Sequence, residues 1–380
     1  MSTLGKYNVS ATDWRSVIQK NKRNTRIVII SFILIYVLIG LLIDVYFNVS
    51  VLPYAKNIIP IEAYTRLHSH SQSYSYSPSS TNILSNEFSW IQIKSVFIQL
   101  ITFRILPIAT IVMTGIAMVS LGIARFFHKG LVMMGTEYHE VTAEASNNVS
   151  IEERQLYNVV EEMKIAAGLK FMPKIYIIEA NHMNAFASGL NEKSALVAIT
   201  RGLLLKLDRD ELQAVMAHEL SHIRHQDIRL TITVAILSNL MLIAIDLLFR
   251  SILYGRNRDN NLKIIIIVIR FALPIITVLL IMYLSRTREL MADSGCVELM
   301  RSNEPLARAL LKIDADHKKN VVDYKKAYTQ TAHEEVRQAS YLYDPRYAGI
   351  STDLSLNSLF STHPPLEKRL KALGVEKKRT

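Results

Sequence analysis

Apolar residues gather in four stretches along this chain, Ile27–Phe47, Ile105–Ala124, Leu230–Phe249 and Ile264–Leu284, with polar blocks between them. Crossing a bilayer takes about 20 residues of helix, so each stretch predicts a membrane span. The first exceeds the apolar run of a signal peptide, about 7–15 residues, and it ends in Asp44-Val45-Tyr46-Phe47 without a small-residue cleavage site, so it reads as an anchor. Lys6, Arg15, Lys20, Lys22, Arg23 and Arg26 precede it against Asp13 alone, which places that flank in the cytoplasm. Arg125 and Lys129 follow the second span and return the chain to the same side. The long loop between these spans is then outside. It carries the Ser/Tyr-rich run Ser69–Ser80, which cannot bury enough apolar surface to fold alone, and His68 and His70, which lack a third ligand nearby and read as solvated.

The last two stretches form a hairpin. Its loop holds Arg250, Arg256, Arg258 and Lys263 against Asp259, a basic bias that opposes an outside placement. The hairpin therefore either crosses against the rule or dips and packs on protein without crossing. Asp246 and Arg270 fall at similar depth in an antiparallel pair, which predicts an intramembrane ion pair; the alternative is an Arg270 side chain that reaches the interface.

The polar blocks, from about Gly130 to Arg229 and from Ser285 onward, predict a soluble lobe written in two parts. Ser150-Ile151-Glu152-Glu153 has capping-box form, and Leu156, Val159, Val160 and Met163 recur at helical spacing, which predicts a helix over 150–164. Lys174–Ile178, Asn184–Ser188 and Ala195–Thr200 have the length and composition of strands, with Gly189 and Asn191-Glu192-Lys193 turning between the last two. The organisation expected is a membrane region over 1–129, lobe parts over 130–229 and 285–380, and the helical hairpin over 230–284.

Composition narrows the class. Half of the 380 residues are hydrophobic, while 44 Lys and Arg face 33 Asp and Glu, a balance that suits a bilayer protein with basic flanks. No basic module with interleaved aromatics is present, so nucleic acid is not an expected partner. Cys296 is the only cysteine, which excludes an intramolecular disulfide and a thiolate zinc cage, and it reads as a small buried residue.

The chemistry concentrates after Asp208-Arg209-Asp210-Glu211, a second capping-box sequence that opens LQAVMAHELSHIRHQ. On a helix, His218 and His222 lie one turn apart on one side, where two imidazoles converge on a zinc at about 2.0–2.1 Å and Glu219 reaches its water. A catalytic zinc needs a third protein ligand. The longer pattern HExxHxxGxxH is absent, because His225 stands at the Gly position and Ile228 at the third His. Glu289, just past the fourth apolar stretch, is the best candidate, with Asp293 one turn on to accept the second nitrogen of a ligand His. His222 precedes the hairpin and Glu289 follows it, so the two share a side if the hairpin crosses twice or not at all.

With NAFASG at 184–189, LVAITRGLL at 196–204, AVMAHELSHI at 214–223, SRTRELMAD at 285–293 and STHPPLEKRL at 361–370, the chain resembles the HtpX family of membrane-bound zinc metalloproteases, a gluzincin branch, from about Tyr138 to Leu373. Its Ser/Tyr loop is longer than that family leads one to expect. The resemblance implies His218, His222 and Glu289 as zinc ligands, Glu219 as general base and Asp293 as the partner of a ligand His. It further implies Asn184, Ala185, Phe186 and Ala187 as an edge strand that pairs with extended substrate, and His363 near the oxyanion with Arg369 supporting. A capped turn before a C-terminal helix is the alternative for His363 and Arg369.

The fold expected is a mainly α-helical membrane protein with a cytoplasmic α+β zincin-like domain, its small edge-exposed sheet packed on the HExxH helix. The function expected is zinc-dependent endoproteolysis of misfolded or damaged membrane proteins at a bacterial inner membrane, with peptide or membrane-protein substrates and the lipid bilayer as partners, and room for self-association or for partner membrane proteases. A prenyl-protein endopeptidase would want more spans around a chamber, and a scaffold with structural zinc would want a fourth protein ligand.

Overall fold

Apolar stretches and capping sequences turn into helices where the pattern writes them. A computed structural model describes residues 4–10, 13–50, 91, 93–133, 138–142, 150–189, 191–254, 260–324, 342 and 363–378. The Ser69–Ser80 run, His68, His70, Arg256, Arg258 and Asp259 lie outside them. In chain order the elements are β1 (Tyr7–Val9), α1 (Trp14–Ser50), α2 (Ile108–Met133), β2 (Tyr138–Val141), α3 (Ile151–Ala167), β3 (Lys174–Ile178), β4 (Ala185–Ser188), β5 (Leu196–Thr200), α4 (Arg201–Lys206), α5 (Arg209–His225), α6 (Asp227–Tyr254), α7 (Asn260–Met300), α8 (Glu304–Lys319), α9 (Leu366–Ala372) and β6 (Val375–Lys377). They divide into one unit of Met1–Ile29, Gly122–Val234 and Val278–Thr380 and another of Ile30–Leu121 and Ala235–Thr277.

In the first unit a four-stranded sheet runs β2-β3-β5-β4, with β3 and β5 parallel and both outer pairs antiparallel. Ser150 caps α3 by accepting the Glu153 N–H, and the helix buries Leu156, Val159, Val160, Met163 and Ala167. That face joins Ile175, Ile177, Val197 and Ile199 of the sheet and Val215, Met216 and Leu220 of α5 in the main core. Side chains pointing the other way, Tyr176, Phe186, Leu196 and Ala198, form a second small cluster on the opposite face of the sheet, as strand alternation requires. Apart from the sheet, β1 pairs antiparallel with β6, Tyr7 opposite Lys377. The sequence pattern did not announce this pair.

In the second unit Asp44, buried within α1, accepts hydrogen bonds from the N–H groups of Ala109 and Thr110 at 2.7 and 3.1 Å and from the Thr110 hydroxyl at 2.9 Å. A carboxylate from one helix thus satisfies the orphan donors of another, and α2 starts after Pro107 rather than at Ile105. Among the described residues three helical segments are long and apolar enough to cross a membrane, Trp14–Val49, Leu230–Leu253 and Lys263–Met300, while the described apolar part of α2, Ile108–Ser120, is shorter. Asp246 and Arg270 do pair: Arg270 Nη2 lies 2.8 Å from Asp246 Oδ1, and Arg250 Nε takes the other oxygen at 2.9 Å.

Candidate metal centre

The capping box of α5 closes in both directions, Asp208 Oδ1 accepting from Glu211 N–H and Glu211 Oε2 from Asp208 N–H. So anchored, the helix is buried from Leu212 to Ile223 save for half-buried Gln213, and His218, Glu219 and His222 point into protein rather than solvent. The Nε2 atoms of His218 and His222 stand 3.2 Å apart. Glu289 brings Oε2 to 3.7 Å from His218 Nε2 and Oε1 to 3.6 Å from His222 Nε2. Donors at about 2.0–2.1 Å from a tetrahedral zinc stand about 3.3 Å apart, so these three residues fit such an ion with only small adjustment. Among the described residues they are the one group of three or more His, Cys, Asp or Glu placed to share a metal.

Glu289 reaches this point because α7 lies very close to α5. A Cβ on Gly295 would collide with the Ser221 side chain, so glycine is what permits the approach. Ser221 is the fourth residue of HELSH, and Gly295 stands six residues after Glu289.

Each histidine nitrogen turned away from the metal position meets a carboxylate. His218 Nδ1 lies 3.0 Å from Asp293 Oδ1, and His222 Nδ1 lies 2.9 Å from Asp227 Oδ2. Arg369 grips Asp293 with two bonds, Nη2 to Oδ1 at 2.6 Å and Nε to Oδ2 at 2.9 Å, and donates through Nη1 to the Leu342 carbonyl at 2.8 Å. His363 Nδ1 is 3.3 Å from Glu289 Oε2. The structure therefore gathers His218, Glu219, His222, Glu289, Asp293, His363 and Arg369 in one place, with Arg369 behind His218.

Burial and charge act on these groups in opposite directions. Burial opposes the charged form of His218, yet Asp293 and Glu289 outweigh it and hold the imidazole up at about 9. Burial likewise pushes Glu289 up, and His363, His218 and His222 bring it well below the usual carboxylate range. Glu219 differs. Desolvation dominates and raises its pKa, with the histidines and the Ala187 amide only moderating the rise. A buried carboxyl with a raised pKa beside a metal position is the kind of group that exchanges protons during catalysis.

The expected substrate strand forms the outer edge of the sheet, as β4, but this edge is not open. Asn184, Ala185, Phe186 and Ala187 are all buried. The Asn184 side chain accepts the Ala185 N–H, and the Ala185 carbonyl accepts the Leu342 N–H at 2.9 Å. Phe186 packs on the far face of the sheet, so only backbone and the two alanines face α5.

Sequence reasoning missed Asp227, Gly295 and Leu342. Asp227 follows Gln226, whose backbone is left-handed at φ 54°, and this break in the helix takes Asp227 out of the register that periodicity reads.

Comparison with known proteins bears on this geometry directly. The model of peptidase family M48 matches residues 150–377, the span that holds every residue of the metal centre. This chain belongs to peptidase family M48. Within it the chain is an HtpX-type member: a protease HtpX homolog of Helicobacter pylori (strain Shi470) is 36% identical over 367 residues, 96% of this chain and 98% of that one. The homolog of Helicobacter acinonychis is 42% identical over 280 residues, covering 73% and 84% of the two chains. The crystal structure of S. mikatae Ste24p aligns with a TM-score of 0.46 at 19% identity, over 75% of this chain and 66% of that one. M48 peptidases are metal-dependent hydrolases, so the chain is a membrane-associated metalloprotease, and the His218, His222 and Glu289 group is its candidate metal site.

Proposed function

We propose that this M48 protease is a zinc endopeptidase that cuts extended segments of misfolded or damaged membrane proteins at the cytoplasmic face of a bacterial inner membrane. The observation that carries the reading is the spacing of the two Nε2 atoms and the Glu289 carboxylate, 3.2–3.7 Å, with buried Glu219 on the same helix. Two imidazoles and one carboxylate suit zinc, and three protein ligands leave the open position that catalysis requires. Bound zinc would supply Lewis acidity, drawing the pKa of a water toward about 7 and polarising the scissile carbonyl.

Glu219 takes the proton of the attacking water and then hands it to the leaving amine. Its raised pKa suits the second of these steps, since the carboxyl must hold the proton before giving it up. Asp293 keeps the proton of His218 on Nδ1 and its Nε2 lone pair on the metal side, supported by the 3.0 Å contact. We assign His363 to the oxyanion, on the strength of its distance to Glu289. Substrate pairs with β4, the outer strand of the sheet, by displacing the Leu342 N–H that bonds the Ala185 carbonyl. The basic residues before the apolar stretch that begins at Ile27, Lys6 and Arg15 to Arg26, support a cytoplasmic site.

Detergent-purified wild type and Glu219→Gln test the reading together. Both should bind one zinc per chain, and only wild type should cleave an unfolded membrane-protein substrate, with the variant slower by about two to four orders of magnitude. Equal cleavage by both would remove Glu219 from the mechanism.

A further inference from the structure

We propose that Asp227, the first residue of α6, is a positioning residue for the metal centre, one that selects the His222 tautomer and aims its Nε2. This rests on the reading that His218, His222 and Glu289 bind a metal. The Asp227 carboxylate is buried, and its Oδ2 lies 2.9 Å from His222 Nδ1. An ionised carboxylate only accepts hydrogen bonds, so this contact requires the imidazole proton on Nδ1 and leaves the Nε2 lone pair facing His218 and Glu289. Without it a neutral imidazole carries its proton on either nitrogen, and one of the two forms points an N–H at the metal position.

The arrangement repeats at the other ligand histidine. His218 Nδ1 meets Asp293, which Arg369 holds from behind; His222 Nδ1 meets Asp227, which has the buried Arg288 guanidinium 3.9 Å from the same oxygen. The two carboxylates arrive from different elements, Asp293 from α7 and Asp227 from the first turn of α6. Asp227 is well held: Gln226 ends α5 in a left-handed turn, and Thr231 donates to the Asp227 carbonyl at 3.0 Å, so the residue enters the site at a fixed angle. An acidic residue at a helix start also favours the helix dipole, but that role leaves the direction of the His222 ring unexplained.

The test uses the full chain in detergent as wild type, Asp227→Asn and Asp227→Ala. Zinc affinity is measured by competition with a chromophoric chelator, and the visible bands of the cobalt(II) form report ligand geometry. Removing such a hydrogen-bond partner weakens metal binding by about 10- to 100-fold. We expect Asp227→Ala near the upper end with shifted cobalt bands, and Asp227→Asn, which keeps an acceptor but loses the charge, near the lower end. Thermal unfolding of the apo forms separates this from a loss of fold, and if Asp227→Ala does not fold, Asp227→Asn decides alone. Wild-type zinc affinity and an unchanged cobalt spectrum in the variants would overturn the proposal. A wild type that takes up no metal at all would overturn the underlying reading as well, a result distinct from the first.

Discussion

Arg369 shows how much of the site depends on a side chain remote from the reacting atoms. Its two bonds to Asp293 are fully buried, and removing one partner of such a pair leaves an uncompensated charge at a cost of about 3–5 kcal/mol. Arg369→Ala should therefore lower the denaturant midpoint strongly, and Arg369→Lys should recover only part of it, since an ammonium cannot reproduce the forked contact. Equilibrium unfolding in detergent checks both. A second residue sets a pH dependence. His317 is buried and donates through Nε2 to the Met183 carbonyl just ahead of β4, and burial lowers its pKa from the ordinary 6.5. The unfolded chain then takes up this proton first, so the stability contributed by neutral His317 is present above about 6.5 and declines as pH falls through the lowered value. His317→Gln should flatten the melting temperature against pH between 7 and 5 relative to wild type. The candidate ligands were legible at this scale because HELSH and the later Glu-x-x-x-Asp carry their spacing on one helix each. Asp227 was not, because a single left-handed residue separates it from the helix it serves.

At the scale of elements, the cap sequences at Ser150 and Asp208 marked two helix starts correctly, though only Asp208 closes a full capping box, and the β-branched runs gave β3, β4 and β5 to within a residue. β2 escaped because Tyr138-His139-Glu140-Val141 alternates weakly and has one buried residue. It is held instead by backbone pairing to β3, with the His139 ring between Glu153 and Glu179 and Arg201 bridging the same two carboxylates. The close crossing of α5 and α7 also needed coordinates, since nothing in a lone glycine says which helix it faces. Gly295→Ala should force the helices apart, costing about 1–3 kcal/mol by overpacking and weakening metal binding as Glu289 recedes. Adding Ser221→Ala removes the hydroxyl that the new methyl would strike, so the double variant should recover part of both losses. A double variant no better than Gly295→Ala alone would mean that the crossing is set elsewhere.

For the whole molecule, strand pairing constrains topology more tightly than hydropathy. β1 precedes α1, β2 follows α2, and both lie in the unit that holds β3 and β6, so residues 9 and 138 share a side. An even number of crossings separates them. If α1 spans the bilayer, a second crossing must follow before Tyr138, and among the described residues α2 is the apolar helix placed to make it, although its described apolar part is short. The same parity joins α6 and α7 through His222 and Glu289. The β1–β6 pair can be tested with the one native cysteine left in place, since Cys296 is buried. Tyr7→Cys with Lys377→Cys should form an intramolecular disulfide under mild oxidation, seen as faster non-reducing migration, because the two residues face each other in register. The absence of that shift would undo the parity argument.

That pairing also sets a schedule. His218 and His222 are synthesised before the α6–α7 hairpin, Glu289 and Asp293 after it, and His363, Arg369 and β6 later still. A ribosome making this chain thus releases the two histidines long before the Glu289 carboxylate that stands beside them exists, and the arginine that grips Asp293 last of all. If these residues are the cutting centre proposed above, a chain still entering the membrane lacks part of it until its last segment is made.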